Sequence, residues 1–149
     1  MTQQPILGLA HIAIRTSEME KTIRFYTQVF PFRILKKASD SSDDTDLAAY
    51  RQAILRCGDL YLEVLRADEP VEHGGKPGPL HHLGISVANL EDALAYLKSR
   101  GLPEGSYAQP AWKTSLDPGH PYRSAGVTGP NGEILGLYEL INADYFQND

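Results

Sequence analysis

A histidine followed by a glutamate occurs twice in this chain of 149 residues, and this repeat limits the possible folds more than any other feature. His11 opens an apolar run, and Glu63 interrupts a second apolar run 63 − 11 = 52 positions later. His82 and Glu139 stand in similar runs, 139 − 82 = 57 positions apart. Self-similarity of this kind usually indicates a duplicated structural unit. We therefore predict two modules, residues 1–77 and 78–149, joined through the proline- and glycine-rich segment 67–79.

The alternation of apolar and polar residues predicts the strands of both modules. In residues 6–15 one strand face is wholly apolar, whereas the other carries His11 and Arg15, which suits a cavity or a wet surface. Glu63 and His82 likewise alternate with apolar neighbours. The further predicted strands are residues 32–37, 48–56, 60–66, 81–87, 123–128 and 133–141, with a tight turn at 129–132.

One helix is predicted in each module, directly after the strand that carries the histidine. Ser17 and Glu20 form a capping-box pattern, and the apolar stripe that follows ends before Pro31. In the second module Asn89 is the predicted N-cap and Gly101 the left-handed residue that closes the helix. Both modules are thus predicted to run strand, helix, then further strands.

Composition excludes several classes of function. The net charge of −5 argues against a nucleic-acid partner, because phosphate binding requires a basic surface. Cys57 is the single cysteine, so an intrachain disulfide and a sulfur-rich metal site are excluded. We expect a cytoplasmic protein without a membrane partner, because no basic start precedes an apolar run and no apolar stretch reaches spanning length.

Two histidines and two carboxylates suit a divalent metal ion. Imidazole favours zinc, nickel and cobalt, and carboxylate oxygen extends the choice to manganese. Four ligands on strands leave coordination positions open for water or substrate, as catalysis requires, and a nearby glutamate can then carry a proton. A single histidine in a strand is more often a packing or surface residue than a ligand. The matched repeat is what favours ligation here.

Four motifs resemble the vicinal oxygen chelate superfamily, which includes glyoxalase I, methylmalonyl-CoA epimerase, fosfomycin and bleomycin resistance proteins, and extradiol dioxygenases. The resemblance implies an α+β fold in which two βαβββ modules form a cupped mixed sheet, and it implies a homodimer. It also implies that His11, Glu63, His82 and Glu139 hold one divalent ion, with His81 as the competing candidate for His82. The motifs are His11-Ile12-Ala13-Ile14, Arg24-Phe25-Tyr26, His82-Leu83-Gly84-Ile85, and the run from Gly129-Pro130-Asn131-Gly132 to Glu139.

Within this superfamily the ligand set resembles that of bacterial glyoxalase I. That likeness implies a small-molecule substrate, an enediolate stabilised by the metal, and catalytic roles for Glu63 and Glu139 in proton transfer. Arg15 matches an arginine that binds glutathione, so glutathione or another thiol is a possible cofactor. Ala67 and Gly78 depart from the thiol-binding pattern.

Two alternatives stay open: an epimerase of 2-substituted acyl-CoA thioesters, and a non-catalytic protein that binds a small antibiotic-like molecule. The epimerase relatives usually carry glutamine at the position of Glu63, which argues mildly against the first. The roles of four residues in or beside the long segment before the closing strands are left open: Trp112, Lys113, His120 and Arg123.

Overall fold

The chain forms two compact units, Met1–Val71 (unit 1) and Glu72–Asp149 (unit 2). The computed structural model describes residues 8–71, 79–108, 111–113 and 122–140. Each unit contains a four-stranded sheet and one main helix in the order βαβββ, so the α+β fold predicted from the sequence is confirmed. The predicted module boundary after residue 77 falls in 72–78, outside the described residues.

Unit 1 contains the first four strands, in the sheet order β1-β4-β3-β2. Strand β1 runs parallel to β4, whereas the other neighbours are antiparallel. Because side chains alternate between the two faces of a strand, one face of this sheet carries the buried residues Ala53, Leu55, Leu62 and Val64. Ile23 of the helix is also buried. The elements are β1 (Ile12–Thr16), α1 (Met19–Arg24), a π-helical turn (Phe25–Val29), β2 (Arg33–Ser39), a 3-10 turn (Leu47–Ala49), β3 (Tyr50–Cys57) and β4 (Leu60–Arg66).

The start of α1 differs from the predicted capping box at Ser17. The N-cap residue is Glu18, which makes no side-chain capping bond. The buried hydroxyl of Thr16, at the end of β1, accepts hydrogen bonds from the backbone N–H of Glu18 and from the hydroxyl of Thr22, both at 2.9 Å. The prediction was wrong because the end of β1 is buried, and so the strand itself supplies the acceptor.

Unit 2 repeats this architecture, with the sheet order β5-β8-β7-β6 and parallel pairing of β5 with β8. Asn89 caps the helix through a 2.9 Å bond from the backbone N–H of Asp92, and Gly101 has a φ of +97°, so both helix-end predictions are confirmed. Strand β6 was not predicted, because three residues are too few for alternation to show. The elements are β5 (Leu83–Val87), α2 (Leu90–Ser99), β6 (Ala111–Lys113), β7 (Tyr122–Thr128) and β8 (Ile134–Leu140).

The core of unit 2 lies between its sheet and α2. Leu135 and Leu137 of β8 are each 1% exposed, and three leucines at helical spacing on α2 are buried: Leu90, Leu94 and Leu97. In each unit we call the opposite sheet face, away from the helix, the open face. In the part of the chain that the structure describes, no helix has the length and apolar character needed to cross a membrane.

Candidate metal-binding residues

The structure brings His11 and Glu63 together on the open face of unit 1. His11 stands two residues before Ala13, which pairs directly with Glu63 across the parallel β1–β4 ladder. The Nε2 atom of His11 lies 2.9 Å from the Oε2 atom of Glu63. The imidazole is 47% exposed and the carboxylate 15% exposed, so ligands can reach the histidine side of this pair.

Gln52 holds the other oxygen of the same carboxylate. Its Nε2 atom donates to Glu63 Oε1 at 2.5 Å. Gln52 lies on β3, two residues from Ile54, the residue that pairs with Glu63. Each carboxylate oxygen therefore has a partner among the described residues, and the amide fixes which oxygen meets the imidazole. Sequence reasoning missed Gln52 because only the β3–β4 register places it beside Glu63.

The His11–Glu63 pair fits two neighbouring ligands of one ion. Nitrogen and oxygen ligands at about 2.1 Å from an ion stand about 3.0 Å apart at the right angle of octahedral coordination, and about 3.4 Å apart at a tetrahedral angle. The 2.9 Å between Nε2 and Oε2 agrees with the octahedral separation. A hydrogen bond that orients a ligating carboxylate, as Gln52 does, is a usual feature of metal sites. Unit 1 thus offers two donors suited to zinc, nickel, cobalt or manganese.

His82, on the open face of unit 2, is bonded through both ring nitrogens. Its Nε2 atom lies 2.7 Å from the hydroxyl of Tyr138, and the two rings stack with centroids 5.8 Å apart. Its Nδ1 atom lies 2.9 Å from Nδ1 of His81. His81, the competing ligand candidate, is therefore a hydrogen-bond partner of His82.

Glu139 does not share a face with His82. It follows Tyr138 on β8, so its side chain points to the opposite face, toward α2. Its Oε2 atom accepts a 2.8 Å hydrogen bond from the backbone N–H of Leu90, the first residue of α2, and lies 3.6 Å from Nη1 of Arg123. The structure therefore does not pair Glu139 with His82, in contrast to the sequence interpretation, and gives it a helix-capping contact.

Strand register explains the difference. Gly84 lies two residues after His82, as Ala13 lies two residues after His11, and Gly84 pairs with Gly136 where Ala13 pairs with Glu63. The position equivalent to Glu63 is thus Gly136, at a spacing of 136 − 82 = 54 from the histidine. Glu139 is three positions further, and an odd offset moves a side chain to the other face.

The other residues singled out from the sequence lie on several elements of the two units. Arg15 is exposed and pairs with Leu65 at the sheet position that follows Glu63 on the open face. Ala67 is buried. Among the described residues no three of His, Cys, Asp and Glu are grouped closely enough to hold an ion. Trp112 and Lys113 belong to β6, Arg123 lies on β7 and bonds to Glu91, and Gly78 and His120 lie outside the described residues.

Two βαβββ units with equivalent strand orders, each with a histidine directly before its first strand, define a glyoxalase-like fold. The family model of the Glyoxalase/Bleomycin resistance protein/Dioxygenase superfamily matches residues 8–132, and the chain belongs to this superfamily. The resemblance to the vicinal oxygen chelate superfamily is thereby confirmed at the level of the superfamily.

Solved structures share this fold at low sequence identity. A glyoxalase family protein from Enterococcus faecalis is 21% identical, with a TM-score of 0.65, over 89% of this chain and 98% of that one. The fosfomycin resistance protein FosX from Listeria monocytogenes is 13% identical, with a TM-score of 0.66, over 94% and 98%. FosX from Mesorhizobium loti is 15% identical, with a TM-score of 0.59, over 90% and 92%. A search of curated proteins gave no match.

Proposed function

We propose that this protein is a divalent-metal-dependent lyase or isomerase of the glyoxalase I type. It moves a proton within a small oxo compound or its thiol adduct. The observation that carries the proposal is the contact of His11 with Glu63 on an open sheet face, with Gln52 bonded to the second carboxylate oxygen. His82 enters the proposed ligand set through the family resemblance. Superfamily membership supports this class of chemistry.

Glu63 is the proposed proton carrier. A bound divalent ion would polarise a substrate carbonyl and acidify the neighbouring carbon. The carboxylate of Glu63 would take the proton from that carbon and return it to the adjacent one. Its low exposure and the Gln52 bond hold it in one orientation, which favours proton transfer over exchange with bulk water. We assign no proton-transfer role to Glu139, because its carboxylate binds the start of α2.

Arg15 is the proposed binding residue for an anionic thiol cofactor. It is exposed and lies on the same strand face as Ala13, beside Glu63. A guanidinium binds carboxylates such as those of glutathione in a bidentate manner. The thiol part of the proposal is tested by measuring turnover of methylglyoxal with and without glutathione. Turnover that is independent of the thiol, and unchanged in Arg15→Gln, would rule out this role.

Metal content and turnover test the central proposal together. Protein stripped with a chelator is reloaded with zinc, nickel, cobalt or manganese, and its metal content is measured by elemental analysis. Activity is then assayed with methylglyoxal–glutathione and, for the epimerase alternative, with a chiral acyl-CoA thioester. We expect activity that returns with metal, at one ion per chain. Loss of that ion in either His11→Ala or His82→Ala would support the ligand set.

A glutamate-to-glutamine pair of variants tests the proton carrier. Glu63→Gln should lower kcat by about 100-fold or more, the usual contribution of a positioned general base. Glu69→Gln, at an exposed position in the same unit, is the matched control and should retain wild-type turnover. Full activity of Glu63→Gln with intact folding would contradict the mechanism.

The non-catalytic binding protein is the second candidate. One observation favours it: among the described residues no three of His, Cys, Asp and Glu are grouped closely enough to hold an ion. Purified protein that holds no metal, shows no turnover, and still binds a bleomycin- or fosfomycin-like molecule would establish this function instead.

The assembly and its location are further parts of the proposal. We propose a homodimer that acts in the cytoplasm on a small molecule, without a nucleic-acid or membrane partner. Sedimentation of the purified full chain at several concentrations measures its oligomeric state. A monomer at all concentrations would contradict it.

A further inference from the structure

We infer that Tyr138, and not Glu139, is the oxygen donor that unit 2 offers to a metal ion beside His82. This inference rests on the proposed metal dependence, and it assigns a ligand that the sequence comparison of the two halves did not find.

The two units present the same pair of atoms at nearly the same distance. In unit 1 an oxygen of Glu63 lies 2.9 Å from Nε2 of His11. In unit 2 the hydroxyl oxygen of Tyr138 lies 2.7 Å from Nε2 of His82. Each pair lies on the open face of its own unit. His11 stands two residues before Ala13, and His82 stands two residues before Gly84, the position of β5 that is equivalent to Ala13. Each unit therefore offers one imidazole nitrogen with one oxygen donor beside it.

Gly136 makes room for the tyrosine to reach this place. A Cβ atom built at Gly136 would lie 2.6 Å from Cε2 of Tyr138 and 3.3 Å from Cδ2 of His82. The ring therefore occupies the space that a side chain at the Glu63-equivalent position would use. Tyr138 starts two residues further along β8, about 7 Å away. The phenol ring is long enough to bring its oxygen back over Gly136 to His82.

His81 completes the arrangement on the far side of the imidazole. When Nδ1–H of His82 donates to Nδ1 of His81, the Nε2 lone pair faces the phenol. A hydrogen bond of this kind to the outer nitrogen is what usually orients a ligating histidine. On ligation the phenol oxygen replaces its bond to hydrogen with a bond to the ion. The proton leaves to solvent, as it does when other protein ligands bind metals.

Metal affinity of two substitutions tests the inference. The Kd for zinc is measured on the full chain by competition with a chelating dye. We expect Tyr138→Phe to raise the Kd for zinc by about 10–100-fold or more. Removing a residue that only supports a metal ligand already weakens metal binding by about 10–100-fold. We expect Glu139→Gln to leave the Kd unchanged. Tyr96→Phe, on the exposed side of α2, is the matched control and should also leave it unchanged.

A second measurement has a wild-type part that does not depend on how well any variant folds. Adding zinc to the wild-type protein should produce an ultraviolet difference spectrum of ionised tyrosine, and Tyr138→Phe should abolish it. Wild-type protein that binds zinc without this spectrum, or Tyr138→Phe that binds zinc as well as wild type, would overturn the inference while the proposed function stands. Wild-type protein that binds no divalent metal would overturn both.

Discussion

Replacing Gly136 with alanine tests how closely Tyr138 packs over β8. The added methyl group would lie 2.6 Å from the tyrosine ring, so the ring must move. The displaced ring loses its hydrogen bond to His82, about 0.5–1.5 kcal/mol. It also loses its stacking, about 0.5–1.5 kcal/mol. Alanine in a strand regains about 0.5–1 kcal/mol over glycine. We therefore expect Gly136→Ala to lower the free energy of unfolding by about 1 kcal/mol.

Gly126 provides the matched control on the neighbouring strand. It pairs directly with Gly136, and a Cβ atom built there meets no atom of the described residues within 4 Å. Gly126→Ala should therefore keep only the backbone gain and stabilise unit 2 by about 0.5–1 kcal/mol. Urea unfolding, monitored by tryptophan fluorescence, measures the free energy of unfolding of both variants. The signal reports on unit 2, because Trp112 is the single tryptophan and belongs to β6.

A double-mutant cycle separates the clash from other effects. In a Tyr138→Ala background there is no ring to displace, so Gly136→Ala should lose its penalty and resemble Gly126→Ala. If Gly136→Ala destabilises the protein equally in both backgrounds, or is as favourable as Gly126→Ala in the wild-type chain, then Tyr138 does not occupy the space over Gly136.

Three further predictions concern stability and reactivity. Asn89→Ala removes the acceptor for the Asp92 N–H and should cost about 1 kcal/mol in urea unfolding; an unchanged midpoint would exclude the cap. The Arg123 guanidinium bonds to Glu91 and lowers the pKa of that carboxyl below its usual value of 4.5. The pair therefore stabilises the fold above pH 4.5, and this contribution is lost as the pH falls through the lowered pKa. Arg123→Gln should therefore flatten the decrease in unfolding midpoint between about pH 6 and about pH 3, and a decrease as steep as in wild type would contradict this. Burial raises the pKa of the Cys57 thiol, so iodoacetamide should modify it more slowly than free cysteine at neutral pH, and equal rates would show an accessible thiolate.

Local sequence signals predicted most elements of the fold because the interactions that create them are local. Alternation located the strands that carry His11 and Glu63, and the Asn89 cap and the left-handed Gly101 bounded α2. The capping box at Ser17 failed for a tertiary reason. Packing buried the end of β1 and placed the Thr16 hydroxyl where it accepts the free N–H.

The sequence by itself determined the duplicated order of strand, helix and further strands, and the histidine that directly precedes the first strand of each unit. Only the tertiary structure decided which oxygen lies beside each histidine. Glu63 was found because its strand register with β1 agrees with the simple count along the chain. In unit 2 the same register falls on Gly136, so Tyr138 approaches His82 and Glu139 faces α2. The register between paired strands decides which side chains of the two strands share a face. A spacing counted along the chain from the histidine to the glutamate does not give that register.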